Sequence, residues 1–229
     1  MEKLILTDSE MLPVMKDAYR RICTNIEFTG VENRVICITS CLPDDGKSTV
    51  SYGVARTFAE NGKRVLLIDA DMRKSELSRQ KGFNKKLIGL SHLLSGMNTI
   101  KEVIYSTNHL NFYLIPTGVF PKNPTELLNK SRFKDLITYM KNTFDYIIVD
   151  TPPLGSVIDA AIIARECDGS VLVFTPDKVS RKSARNIRNQ LEQANPNILG
   201  VIMNHVSVRS KGYNYGYKDY SYGYGGYGY

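Results

Sequence analysis

Six short runs of this chain are apolar at nearly every position: "RVICIT" (34–39), "RVLLID" (64–69), "LNFYLIP" (110–116), "DYIIVD" (145–150), "GSVLVF" (169–174) and "ILGVIMN" (198–204). Runs without polar alternation suit strands buried on both faces of a parallel sheet. The segments between them have helical period. Phe133, Leu136, Ile137, Met140 and Phe144 fall at i, i+3, i+4, i+7 and i+11, one stripe suited to core packing. This alternation predicts a three-layer α/β domain with a mostly parallel central sheet, right-handed crossovers and a ligand site beyond the carboxyl ends of its strands. Upstream, "PVMKDAYRRICTNIEF" (13–28) reads as a helix that either packs on the domain or meets a neighbouring subunit. After Asn204 the pattern stops. The expected division is a helical segment over 1–30, a globular domain over 31–205 and a disordered tail over 206–229.

Composition narrows the class. At 229 residues, 42% hydrophobic and 23% charged, one substantial core is affordable and one domain is the default. No apolar run approaches the roughly 20 residues of a membrane span, and "MEKLILTDSE" lacks a signal-peptide core, so an intracellular chain is expected. Cys23, Cys37, Cys41 and Cys167 have neither CxxC spacing nor partnering histidines, which argues against a zinc site or a disulfide framework. The net charge of +7 suits an acidic partner without choosing one. Part of it lies in "RKSELSRQKGFNKK" (73–86), six Lys or Arg against one Glu, which reads first as solvated surface.

Candidate chemistry gathers at three predicted strand ends. "ITSCLPDDGKSTV" follows the first strand and precedes "TVSYGVARTFAENG", a helical segment closed by a glycine suited to a C-cap. That context makes a phosphate-binding loop: the N–H groups of Asp45, Gly46, Lys47, Ser48 and Thr49 face phosphate, Lys47 supplies a fixed cation, and the Ser48 hydroxyl can ligate Mg²⁺. Cys41 stands where the usual pattern has its first glycine. Asp44 and Asp45 replace small residues, and beside a triphosphate they are repulsive unless they face solvent or Mg²⁺. "LLIDADMR" places Asp69 and Asp71 at a second strand end, near the phosphate loop if the two strands are neighbours. "YIIVDTPP" places Asp150 at a third, in the Walker B manner, to hold Mg²⁺ directly or through water.

The final seventeen residues contain eight tyrosines, Tyr213, Tyr215, Tyr217, Tyr220, Tyr222, Tyr224, Tyr227 and Tyr229, spaced mainly by glycine. A flexible segment of that length has a root-mean-square span of roughly 23 Å. If the last strand runs parallel to the first, the tail leaves on the same edge as the phosphate loop, and Asn204 there is a candidate contact for a nucleotide base.

Together these motifs resemble the bacterial tyrosine kinases of capsular and exopolysaccharide biosynthesis: "PDDGKST" their Walker A, "LLIDADMR" their Walker A′, "YIIVDTPP" their Walker B, and the terminal tyrosines their autophosphorylation cluster. The resemblance implies a P-loop NTPase fold, ATP and Mg²⁺ as cofactors, and transfer of phosphate to the chain's own tail, in trans. It implies that Lys47 and Ser48 hold phosphate and metal, that Asp71 and Asp150 organise the metal, and that Asp69 accepts the tyrosine proton. It further implies a cytoplasmic kinase at the inner face of the membrane, a separate membrane activator, a protein-tyrosine phosphatase, a homo-oligomer and no nucleic acid. The family's oligomerisation pattern Glu-x-x-Arg-x-x-Arg is met here by Asp17, Arg20 and Cys23, which leaves Asp17 and Arg20 as the interface pair.

Two rivals differ in testable features. A partitioning or division-site ATPase switch of the same wider fold carries a lysine five positions before the Walker lysine, where this chain has Leu42. A weakly catalytic nucleotide-dependent scaffold would lack phosphotyrosine as a product.

Overall fold

The fold is seen in a computed structural model that describes residues 2–7, 12–82, 87–195 and 197–206. The chain begins with strand β1 (Lys3–Leu4), helix α1 (Pro13–Phe28), strand β2 (Val35–Ser40), helix α2 (Lys47–Glu60) and strand β3 (Val65–Asp69). Three short helices follow, α3 (Glu76–Lys81), α4 (Leu90–Leu94) and α5 (Ile100–Val103), and then strands β4 (Tyr105–Thr107) and β5 (Phe112–Ile115). The second half runs through α6 (Pro124–Leu128), α7 (Ser131–Met140), β6 (Tyr146–Asp150), α8 (Asp159–Ala164), β7 (Gly169–Phe174), α9 (Arg181–Ala194) and β8 (Ile198–Met203).

The strands form one sheet in the order β1-β4-β5-β3-β6-β2-β7-β8, parallel throughout except where β4 meets β5. Alternation along each strand divides the core in two. Val35, Cys37, Leu66 and Ile68 join the helices from α4 to α9 on one face, whereas Ile36, Ile38, Val65 and Leu67 join α1, α2 and α3 on the other. The stripe from Phe133 to Phe144 is buried throughout, as its spacing predicts. Each fully buried Leu, Ile or Phe in these layers contributes about 1.5–3 kcal/mol relative to exposure.

Two apolar runs behave differently from the expectation of burial on both faces. β8 is a sheet edge, and it leaves Val201 54% and Met203 60% exposed. The run 110–116 contributes only Phe112–Ile115, because Asn111 takes a left-handed φ of 61° that turns the chain, and Leu110 is 84% exposed.

Helix α1 packs on the domain. Tyr19, Cys23 and Ile26 are buried against α2, and the Tyr19 hydroxyl donates to the Thr49 carbonyl at 3.3 Å. Close approach requires Gly53: a Cβ there would lie 2.2 Å from the Tyr19 ring. Gly53→Ala is therefore expected to cost about 1–3 kcal/mol of overpacking, of which alanine's helix propensity returns only part. Urea unfolding should show the loss and amide exchange over 13–28 should quicken; an unchanged midpoint would mean the ring moves freely.

Candidate active site

The phosphate loop is built by β2 delivering residues 41–46 to the start of α2. Gly46 has a φ of 85°, and a Cβ at this position would fall 2.0 Å from the Asn204 amide nitrogen, so the loop accepts only glycine here. Asp44, also left-handed at 61°, is exposed. Asp45 is buried and turned into the loop: its carboxylate accepts the N–H of Leu42 at 2.9 Å and that of Thr175 at 3.3 Å. Backbone donors therefore occupy the carboxylate that looked repulsive beside phosphate. Cys41 is buried as well, and burial, with the nearby Asp45, pushes its thiol up to about 11, which leaves it unreactive.

The first N–H groups of α2 point out of the helix without intrahelical partners, since Val50 is the residue that returns to the Gly46 carbonyl. Lys47 lies beside them, buried, with Nζ 3.1 Å from Asp71 Oδ2 and donating to Ser48 Oγ at 3.1 Å. Burial favours the neutral amine, but the charges of Asp150 and Asp71 outweigh it and hold Lys47 above its ordinary value as a cation. Asp71 is fixed in turn by the N–H groups of Arg73 and Lys74, at 3.3 and 3.0 Å.

Asp69 and Asp150 end neighbouring strands in direct register. One oxygen of each is held by a serine, Asp69 Oδ2 by the Ser75 hydroxyl and Asp150 Oδ1 by the Ser51 hydroxyl at 3.0 Å. The others, Asp69 Oδ1 and Asp150 Oδ2, are buried with no hydrogen-bond partner. Burial first, and then the charge of Asp150, pushes Asp69 up to about 7. Burial also raises Asp150, against the pull of Lys47. Orphaned carboxylate oxygens beside a glycine cradle and an unpaired helix start fit a bound cation and phosphate. Among the described residues no group of three or more His, Cys, Asp or Glu is placed to hold a metal alone.

The structure thus brings Asp45, Gly46, Lys47, Ser48, Asp69, Asp71, Asp150 and Asn204 to one edge of the sheet. They meet although β2 and β3 are not neighbours: β6 lies between them, and Lys47 reaches across to Asp71. The Asn204 amide donates to the Asp45 carbonyl at 3.0 Å, clasping the phosphate loop. The Thr49 side chain is exposed and donates to Gln80 at 3.2 Å. Asp17 and Arg20 pair at 3.5 Å within α1, both exposed. The eight tail tyrosines lie outside the described residues. Sequence reasoning missed Ser51 and Ser75. Ser51 lies one turn after Lys47, on the same helix face, and Ser75 has the residue type of an N-cap, which it is for α3.

Comparison with known proteins agrees with this geometry. The model of an AAA domain family matches residues 33–202. Tyrosine-protein kinase CpsD of Streptococcus agalactiae is 40% identical over 225 residues, covering 96% of this chain and 98% of that protein. Tyrosine-protein kinase YwqD of Bacillus subtilis is 35% identical, with 95% and 92% covered. The kinase domain of the Escherichia coli tyrosine kinase ETK superposes with a TM-score of 0.79 at 33% identity, over 92% of this chain and 87% of that one. The division-site protein MinD of Pyrococcus horikoshii, solved with Mg-ADP, gives a TM-score of 0.64 at 26% identity, over 74% of this chain and 69% of that one. With the three strand-end motifs assembled at one edge and relatives of this similarity along nearly the whole chain, this protein belongs to the bacterial tyrosine kinases of capsular and exopolysaccharide biosynthesis.

Proposed function

We propose that this kinase transfers phosphate from Mg-ATP to tyrosines among Tyr213–Tyr229 of a second copy of itself. The observation that supports this most is the pair of buried carboxylates, Asp69 and Asp150, each with one oxygen unpartnered, set beside the Lys47–Asp71 pair. ATP supplies the phosphoryl group, and Mg²⁺ neutralises charge on its oxygens. The first N–H groups of α2 and the Lys47 ammonium would bind the phosphates, while Ser48, Asp71 and Asp150 would hold the metal. A tyrosine hydroxyl titrates near pH 10, so it arrives neutral, and Asp69 Oδ1 is the acceptor for its proton. Asn204, through Asp45, holds the loop in shape.

Asn204, one residue past β8, donates to the phosphate loop, so the last described residues lie beside the candidate active site. Transfer in trans fits a homo-oligomer in which the exposed Asp17 and Arg20 of α1 meet a neighbouring subunit. No helix among the described residues is long and apolar enough to cross a membrane. The relative wzc of Salmonella typhimurium is matched over only 28% of its length. In this reading the kinase is held at the inner face of the membrane by a separate activator protein, a phosphatase resets the tail, and no nucleic acid is bound.

Intact-mass spectrometry after incubation with Mg-ATP is expected to show a ladder of phosphate additions on Tyr213–Tyr229. Phosphatase should remove it, and a chain with phenylalanine at all eight tail positions should lack it. ADP release without any ladder would favour instead a nucleotide switch, the reading that the likeness to MinD with Mg-ADP supports.

A further inference from the structure

Next to Asp69 lies a cleft of about 360 Å³ whose walls include Arg73, Lys74, Ser75, Glu76, Arg79 and Phe120. Ser75 ties it to the candidate active site, because this cleft-lining residue donates its hydroxyl to Asp69. Two cations converge there on one carboxylate: Lys74 Nζ lies 3.3 Å from Glu76, and the Arg79 guanidinium binds the other Glu76 oxygen. Both cationic side chains remain open to solvent, at 71% and 74% exposure, whereas Glu76 is only 15% exposed. Arg73 is committed elsewhere, to Asp159 at 2.7 and 3.1 Å. Phe120, 41% exposed, supplies an aromatic wall.

We infer that this cleft binds a phosphotyrosine already present on the tail of a second copy, with Lys74 and Arg79 on its phosphate and Phe120 against its ring, so that one transfer promotes the next. The inference rests on the reading that the tail is the substrate. Glu76 then holds the place of the phosphate: a single buried-side carboxylate satisfies two exposed cations, and a dianion carries the charge to engage both. The ring requirement matches Phe120, since aromatic pairs add to simple area burial. The tail's tyrosines recur every two or three residues. In an extended segment, residues two apart face the same side at about 7 Å, so an occupied cleft sets the adjacent tyrosine toward Asp69. Lys74 and Arg79 are thus specificity-determining residues, and Glu76 is a competitor.

The test uses the full chain with phenylalanine at all eight tail tyrosines as the kinase, and synthetic peptides of residues 213–229 as acceptors, one unmodified and one carrying phosphotyrosine at position 222. With Mg-ATP, the phosphopeptide is expected to show kcat/KM about fivefold higher, mainly through KM, the size of two exposed ion pairs. Lys74→Ala with Arg79→Ala should erase that advantage and Glu76→Gln should enlarge it, while use of the unmodified peptide stays within about twofold. Raising salt to about 0.5 M should also erase it by screening. Equal use of the two peptides, or an advantage that survives the double substitution, would overturn the cleft assignment and leave the tail as substrate. If neither peptide accepts phosphate, the tail-as-substrate reading fails, and this inference falls with it.

Discussion

Lys47→Met is expected to lower the rate of phosphate transfer to tyrosine by at least about 10²–10³-fold, the usual cost of removing one preorganised charge from a reacting centre. The structural reason is specific. Lys47 is buried, 3.1 Å from Asp71, and its ammonium faces the carboxylates of Asp69, Asp71 and Asp150. Methionine keeps the length of the side chain but leaves those carboxylates without their cation. Removing one partner of a buried pair costs about 3–5 kcal/mol, part of which proton uptake by the carboxylates relieves. Rapid-quench transfer with labelled ATP, beside circular dichroism of the same samples, separates lost chemistry from lost fold. A folded variant that keeps a tenth of the wild-type rate would show that Lys47 is not the phosphate cation.

Asp69→Asn should reduce kcat by about 10²–10³-fold with little change in the KM for ATP, because the role proposed for the group lost is to accept a proton rather than to bind nucleotide. The same substitution should stabilise the nucleotide-free chain above neutral pH. Asp69 titrates near 7 in the fold, above the value of about 3.9 for an unfolded aspartate. Between those values the folded state holds more protons than the unfolded one, so stability falls as pH rises from about 4 through 7 and levels off above. At roughly 1.4 kcal/mol per pKa unit, the loss at pH 8 is on the order of 4 kcal/mol for this fully buried group. Asparagine has no charge to desolvate and removes that part of the slope. Urea unfolding at pH 5 and pH 8 checks it: wild type and variant curves that move in parallel with pH would refute the assignment of the strain to Asp69.

Both substitutions act at residues that the strand-end motifs single out, which shows how local that information is. Asp69, Asp71 and Asp150 are legible because each closes or follows an apolar run, and a buried strand that ends in a polar residue must deliver it to the end of the sheet, whereas Lys47 and Ser48 are legible from the Gly-Lys-Ser loop between a strand and a helix. Other features were not legible. Ser51 is 99 residues from the Asp150 it binds, and Asn204, picked out as a candidate base contact, has as its partner the carbonyl of Asp45, 159 residues away. The Asp45 carboxylate looked like a repulsive neighbour of phosphate, yet it serves the backbone of Leu42 and Thr175. The basic run after Arg73 read as solvated surface, and only the folded chain shows Lys74 and Arg79 converging on Glu76.

The sequence by itself determined the layer architecture, the phosphate loop and the carboxylates at the strand ends, because strand period, helix period and loop chemistry are set by steric preferences within a few residues. It did not determine the strand order. That β6 separates β2 from β3, that Asp69 faces Asp150 in register, and that β8 forms an exposed edge depended on which nonpolar faces could be buried together. Such pairings join segments far apart in the chain, so only the tertiary structure decided which polar groups met their partners and which two carboxylate oxygens were left without one.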